Sequence, residues 1–487
     1  MVAVAQSSSS KEPAHSIVSR TSKASAEVVA NIMQSLDISA PRINGRVLVH
    51  PATKITAQPP ASILFNPSKS LLTYTLLSAT LCAVHRSHHF SMSSTRNSIS
   101  LQVLKPATCT GSSLYAKEMA LLANHVQSGL QARVAPIPID DCTGGVYYLR
   151  TKNRRLTGVF KPQDEEAYAP NNPKQYHKPE ASGISSMREG ISAGDAAVRE
   201  VAAYLLDHQH FARVPVTMLA SIYHPDLHFK ASTTPHGKTG ALQAYVAHRD
   251  TADDVGSSLF NVAETHAIAI LDIRLANQDR HGGNLLVVEP AQTVTQTSTS
   301  VVTKSLAGKK VSLVPIDHGA CLPRISALSE TTFLWLLWPQ SKQPFFRSER
   351  DYIAALDAQH DLKLLEDNLP ANYQIEREAL LTLFVCTALL KFCALDRHMT
   401  AYDIGMLMCR QGPAAQQDMK PSVLETLVAS CRRDPAVLKS EVLLKPVQKM
   451  ATSSDKKTSQ DKAWTSYVAI FMATFRRELV AHLAIAK

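Results

Sequence analysis

LANQDRHGGNLLVV, Leu275–Val288, decides how this chain is read. Apolar residues at helical spacing run into it from about Val262 to Ala276. A short apolar run, Leu285–Val288, leaves it as a strand. The polar loop Asn277–Asn284 therefore joins a helix to a strand. Asp279 and Asn284 stand five residues apart across a Gly-Gly bend, so one carboxylate and one amide oxygen can face one site. Metal-dependent phosphoryl transfer uses such a pair, an acid near the attacking hydroxyl and an Asn on the metal. Downstream, the strand Val311–Ile316 delivers Asp317 to a turn that Gly319 permits, where a carboxylate is a hard oxygen ligand for Mg2+. The tripeptide alone carries little, because Asp396–Arg397–His398 repeats it. There Ala401 stands five residues on, no glycine follows, and the segment reads as a surface helix end.

Upstream, two short strands are expected, Val146–Arg150 and Thr157–Lys161, the second stopped by Pro162. TGGVYY, Thr143–Tyr148, puts two glycines on a strand-to-strand turn, where they allow backbone N–H groups close to a phosphate. Lys161, at the end of an apolar strand, calls for an anionic partner. After a polar loop, Gln163–Gly194, Asp195 reads as the N-cap of a helix with Val198, Val201 or Ala202, and Leu205 on one face. A strand pair in FARVPVTML and a strand in ALQAYVAHR follow. Beyond Asp351 the pattern is helical: Tyr352–Asp367, Ile375–Asp396 and Thr400–Gln411. A connector rich in Pro, Gln and Lys then leads to an amphipathic helix, Trp464–Ala486.

Strands with one inserted helix come first and helices follow. The fold class is α+β, a two-lobed protein-kinase-like fold with a small β-rich N-lobe and a larger helical C-lobe. Three parts are expected: a low-complexity basic leader, 1–116; a catalytic domain, 117–412; and a connector with its terminal helix, 413–487. Gly turn, strand lysine, helix glutamate, D-R-H-x-x-N, apolar strand and I-D-x-G occur in the order an ATP-dependent kinase needs.

The chain has 487 residues and a formal charge of +10. Met1–Lys117 holds 11 Lys/Arg against 3 acids, while the remaining 370 residues hold 40 against 38. The body is nearly neutral, which argues against nucleic acid as a partner. The Ser-rich, acid-poor leader suits an unfolded segment or, in part, an organelle address. Eight cysteines show no C-x-x-C pair, so buried free thiols in a reducing compartment are expected. Ala379–Leu390 reads as a core helix rather than a membrane span.

GGVYYL, GVFKPQDEEAYAPNNP, REVAAYLLDH, LDIRLANQDRHGGNLLV, PIDHGACLP, FLWLLWPQSKQPF and AYDIGMLMCR together resemble the phosphatidylinositol 3-/4-kinase catalytic family, nearest its plant-type gamma 4-kinases, over about Val134–Gln411. The resemblance implies that Thr143, Gly144, Gly145, Val146 and Tyr147 cover the ATP phosphates. It implies that Lys161 binds the α- and β-phosphates and Glu200 holds that lysine. Glu200 lies about 200° round the helix from Val198, off the apolar face. Gln243, Ala244, Tyr245 and Val246 would form the hinge that binds adenine through backbone groups. Asn284 and Asp317 would hold Mg2+, and Asp279 and His281 would orient or deprotonate the acceptor hydroxyl, either one being the base. Gly282 stands where relatives often have Ala.

The implied activity is transfer of the ATP γ-phosphate to the 4-hydroxyl of phosphatidylinositol at a membrane surface, by an intracellular, cytoplasmic or peripheral membrane protein. A Ser/Thr protein kinase and a weakly catalytic nucleotide-binding scaffold are the alternatives. Between Ala320 and Trp338 Arg324 is the one base, against Glu330, which suits a headgroup with a single phosphodiester. Trp335–Trp338 is read either as core or as a membrane-interface element. Trp464–Leu483 is read as a packed helix or a membrane-surface one.

Overall fold

The computed structural model describes residues 42–43, 46–47, 99–104, 114–174, 188–230, 236–289, 311–410, 420–442, 444 and 453–485. The chain divides into Met1–Ser98 and Ile99–Lys487. In the first unit, Arg42–Ile43 (β1) and Arg46–Val47 (β2) pair antiparallel. Leader residues 1–41, 44–45, 48–98 and 105–113, Cys82 and Cys109 among them, lie outside the described residues, as do residues 290–310.

The second unit opens with Ser100–Val103 (β3), a strand before the expected boundary at 116. It pairs with Thr217–Tyr223 (β7) and completes a six-stranded antiparallel sheet. The other strands are Ile137–Pro138 (β4), Tyr147–Arg150 (β5), Leu156–Pro162 (β6) and Lys238–Ala244 (β8), in the order β3-β7-β8-β6-β5-β4. The helix Leu114–Gln131 (α1) lays Leu122, Val126 and Leu130 against Tyr147, Leu149, Phe160, Met218 and Leu242. Each such fully buried side chain contributes roughly 1.5–3 kcal/mol. FARVPVTML yields one strand rather than a pair. Asp207, buried, takes the backbone N–H groups of Ala212 and Val214 at 2.7 and 2.9 Å, which bends Phe211–Pro215 into a turn.

Ala196–Leu206 (α2) is buried along nearly its whole length, so both lobes pack on it. Asp195 precedes it, but its side chain does not cap. The Glu166 carboxylate accepts from Gly194, Ala196 and Ala197 N–H at 2.7, 3.2 and 2.9 Å instead. A distant carboxylate does here what a local N-cap usually does.

In the C-lobe, Val262–Leu275 (α3) is capped by Asn261 and ends at Ala276 in the left-handed region. Asp250–Thr251 (β9), Leu285–Val288 (β10) and Ser312–Pro315 (β11) form a sheet in the order β11-β10-β9. The expected helix Tyr352–Asp367 is two helices, Arg347–Ala355 (α4) and Ala358–Asn368 (α5). Asp357 divides them by accepting from Gln359 and His360 N–H. Arg377–Lys391 (α6) continues as a π-turn, Phe392–Asp396, and Asp396 and His398 end it exposed, as expected for the second D-R-H. The span Arg377–Asp396 is long and apolar enough to cross a bilayer, yet Leu381, Leu383, Val385, Cys386 and Leu389 are fully buried in the lobe.

Ala401–Met408 (α7) follows a Thr400–Asp403 capping box. The expected connector contains two helices, Val423–Arg433 (α8), with a Ser422–Glu425 capping box, and Pro435–Val442 (α9). Ser453–Ile485 (α10) packs as a core helix. Trp464, Tyr467, Phe471, Phe475 and Leu479 are buried in the same cluster as Leu427 and Val428 of α8 and Val437 of α9. α8, α9 and α10 are thus part of the C-lobe.

Candidate active site

The two lobes meet in charge. Lys161 leaves β6, flanked by Phe160 and Pro162, both pointing into the sheet's buried side. Its ammonium donates to Glu200 Oε1 on α2 and to Asp317 Oδ1, the latter at 3.1 Å. Glu200 Oε2 accepts the backbone N–H of His318 at 3.1 Å. One carboxylate therefore ties the strand lysine to the turn bearing Asp317. Burial alone would lower the Lys161 pKa, but Asp317 and Glu200 raise it well above the ordinary ammonium value. The Lys161 charge holds the Asp317 carboxyl down to about 2, against the opposing effect of burial. Burial pushes the Glu200 pKa up, opposed by Lys161. Asp317 adopts φ 57°, the left-handed region that costs a non-glycine residue of order 1–3 kcal/mol. The turn therefore aims Asp317 through its own strain. Gly319 serves close approach, since a Cβ there would sit 2.9 Å from Ala196 Cβ of α2.

The loop Asn277–Asn284 is built on a residue that the sequence alone did not single out. Asp272 of α3, fully buried, accepts from Arg280 Nε at 2.9 Å, Asn277 Nδ2 at 2.9 Å and Trp335 Nε1 at 3.1 Å. Arg280 also donates to the Asn284 and Ile316 carbonyls at 2.7 and 3.0 Å. Its guanidinium thus joins the two strand ends that carry Asn284 and Asp317. The Asn284 amide nitrogen donates to Asp279 O at 2.9 Å, which leaves its amide oxygen as the atom able to ligate a metal. Asp279 N–H donates to Asn277 Oδ1, and its carboxylate pairs with Arg188, which also reaches Glu330 at 3.4 Å. His281 is exposed. A Cβ on Gly282 would lie 2.1 Å from Asp253 Oδ1, so this chain's glycine matches the close packing of Asp253.

The glycine turn and the hinge depart from expectation in detail. Gly145 N–H is engaged by Glu165 O at 2.9 Å, and a Cβ at Gly145 would strike the Glu165 side chain. Tyr147 points into the sheet core and its hydroxyl donates to Glu165 at 2.7 Å, so its ring does not cover phosphates. The turn is instead braced from behind. Asn172 Nδ2 donates to Thr143 O, and Lys174 Nζ to the carbonyls of Ile139, Asp140 and Cys142. At the hinge, Gln243 is buried against Thr217 Oγ1, while Ala244 and Tyr245 N–H bond Val216 O and Thr157 O. Of the four hinge residues, Tyr245 and Val246 lie beyond β8, which ends at Ala244.

Trp335 is buried and stacks on Phe333 at 4.7 Å, and Trp338 packs on Phe260 at 4.6 Å, so both are core. Leu337 alone of this quartet is strongly exposed, at 79%. Far from the cleft, His208 at the end of α2 pairs with Asp361 of α5 at 2.6 Å, while buried Arg274 pairs with the other Asp361 oxygen. This His–Asp–Arg set pins α2 to the C-lobe. The described cysteines form no disulfide; five are buried and Cys142 is partly so.

The site thus combines an ammonium, two oxygen donors suited to a hard divalent ion, and an acid beside the acceptor position, between a β-lobe and a helical lobe. That donor set fits a nucleotide triphosphate with its metal, and the fold is of the kinase-like class. The family described as "Phosphatidylinositol 3- and 4-kinase" matches residues 143–404, more than half of the chain, and the chain belongs to this family. It is 37% identical over 323 residues to phosphatidylinositol 4-kinase gamma 6 of Arabidopsis thaliana, covering 64% of this chain and 49% of that protein. It is 37% identical over 310 residues to gamma 8 of the same plant, covering 63% and 55%. To gamma 4 of Oryza sativa subsp. japonica it is 35% identical over 309 residues, covering 61% and 49%. The chain spans about half the length of the curated relatives it matches.

Proposed function

We propose that this chain transfers the γ-phosphate of ATP to the 4-hydroxyl of phosphatidylinositol. The observation that carries the reading is the Lys161–Glu200–Asp317 bridge between lobes, in a chain of this family. Lys161 would hold the α- and β-phosphates in place of part of its present carboxylate contact. Asp317 and the Asn284 amide oxygen would hold Mg2+, which when bound neutralises phosphate charge. Asp279, fixed through its backbone N–H and carbonyl, would orient the acceptor hydroxyl and take its proton, with exposed His281 beside it. Most of the barrier reduction comes from preorganised charge, since a general base contributes only about 10²–10⁴-fold. Exposed Leu337 and Phe346 support peripheral contact with the bilayer that holds the substrate. Six described cysteines held as thiols, five of them buried, support an intracellular location.

The test offers purified protein radiolabelled ATP with phosphatidylinositol in mixed micelles, and separately a protein acceptor, with Asp317→Ala as control. Label in phosphatidylinositol 4-phosphate, lost in the variant, is expected. Label in protein alone would show the acceptor to be Ser or Thr. ATP binding without turnover would leave a scaffold.

A further inference from the structure

We propose that Arg188 is the residue that receives the phosphodiester of the inositol headgroup. The inference rests on the lipid-kinase reading and names the contact that selects the acceptor. Arg188 lies just before α2, outside every motif read from the sequence. Its guanidinium reaches the acceptor side of the cleft, pairing through Nη2 with Asp279 Oδ1 and through Nη1 with Glu330 Oε2 at 3.4 Å. One carboxylate belongs to the loop that must meet the attacking hydroxyl, the other to the segment after Asp317. All three side chains are about one-third exposed, so these pairs are weakly held and open to exchange.

The one base in the segment Ala320–Trp338 is committed elsewhere. Arg324 Nε sits 3.0 Å from both oxygens of Glu376. Arg188 therefore presents its guanidinium adjacent to the catalytic acid, for a headgroup that carries one phosphodiester. The planar fork of Arg matches two phosphate oxygens as it matches a carboxylate. A hydroxyl on one edge of the inositol ring at Asp279 sets the phosphodiester on the opposite edge, within the sweep of a long side chain rooted beside that acid. Without lipid, Asp279 and Glu330 park the guanidinium. With lipid, Arg188 moves to the phosphodiester and releases the Asp279 carboxylate for the hydroxyl.

The experiment compares two soluble acceptors that differ by that group, glycerophosphoinositol and free myo-inositol, in the wild type, Arg188→Gln and Arg188→Lys. Phosphatidylinositol in mixed micelles is run alongside. The wild type is expected to prefer glycerophosphoinositol in kcat/KM by about tenfold or more. Arg188→Gln should bring the ratio close to one and raise KM for phosphatidylinositol by a similar factor, with KM for ATP within about twofold. Arg188→Lys, which keeps charge and loses the fork, should recover part of the preference. An unchanged ratio in Arg188→Gln overturns the proposal while leaving the lipid-kinase reading intact. An equal slowing of both acceptors also overturns it, and makes Arg188 a positioning residue for Asp279. A wild type that labels protein but no inositol compound defeats the lipid reading and this inference together. Thermal midpoints and ATP binding of the variants separate misfolding from each of these results.

Discussion

Lys161 Nζ and Asp317 Oδ1, 156 residues apart in sequence, stand 3.1 Å from each other across the junction of the two lobes. Glu200 completes the contact, and no local interaction could bring these three groups together. Lys161→Met is expected to lower kcat/KM for ATP by about 10²–10³-fold, the scale of losing one preorganised charge-stabilising donor. It leaves Glu200 and Asp317 facing each other without their cation. Steady-state kinetics with the variant would settle this, and a loss smaller than about fivefold would remove Lys161 from the chemistry.

Asp279 and His281 compete for the role of base, and their settings differ. Asp279 is held at N–H, carbonyl and carboxylate, while His281 is exposed. Asp279→Asn should cost about 10²–10⁴-fold in kcat, and His281→Asn less than about tenfold. The reverse ranking would transfer the proton to the imidazole.

The Asp272–Arg280 pair is fully buried. Arg280→Met leaves Asp272 with Asn277 and Trp335 but without its countercharge. A loss of about 3–5 kcal/mol is expected, by chemical denaturation followed through tryptophan fluorescence. Trp335, which donates to the same carboxylate, should report the change directly. An Arg280→Met protein as stable as the wild type would deny Arg280 the bracing role.

Glu166 offers a pH test. Burial lifts its carboxyl from about 4.5 to about 7, against three backbone N–H groups that favour the anion. A raised folded-state pKa means its contribution is fully present below about pH 4.5 and is lost as pH rises through about 7. The thermal midpoint should therefore fall between pH 5 and pH 8 by more in the wild type than in Glu166→Gln. Identical pH profiles for the two proteins would show that the helix terminus keeps Glu166 ionised throughout.

Phe471, fully buried on α10, tests whether the C-terminal helix is core. Phe471→Ala should destabilise by about 3–5 kcal/mol, and Arg476→Gln with Arg477→Gln should leave liposome flotation unchanged. Flotation lost in the double variant, with little cost at Phe471, would make α10 a membrane-surface helix.

Much of the site was legible because its chemistry is written locally. Asp279, Asn284 and Asp317 announce themselves by polar type, spacing and the apolar strands beside them. Lys161 does so by sitting between buried neighbours. Arg280 also lay in view, inside the decisive loop, but its role depends on Asp272, which reads as an ordinary helix residue. Glu166, Asn172 and Lys174 sit in a stretch that looks like loop, and nothing in their own neighbourhood tells which backbone groups they will meet. Periodicity likewise announced α3, α6 and α10. It missed the break at Asp357 and the short helices α8 and α9, because two or three turns supply too few apolar repeats to stand above a polar background.

The chain by itself determined the lobe order, the helix–loop–strand and strand–turn carriers of the reacting groups and the family to which they belong, since each is encoded within a few turns or a few strand residues. Only the tertiary structure decided which groups meet. It set Glu200 between Lys161 and the His318 backbone, put Arg188 on Asp279, turned Tyr147 inward, and folded α8, α9 and α10 into the C-lobe. Those outcomes depend on packing between elements far apart in sequence, where burial and charge pairing, not local propensity, choose the partner.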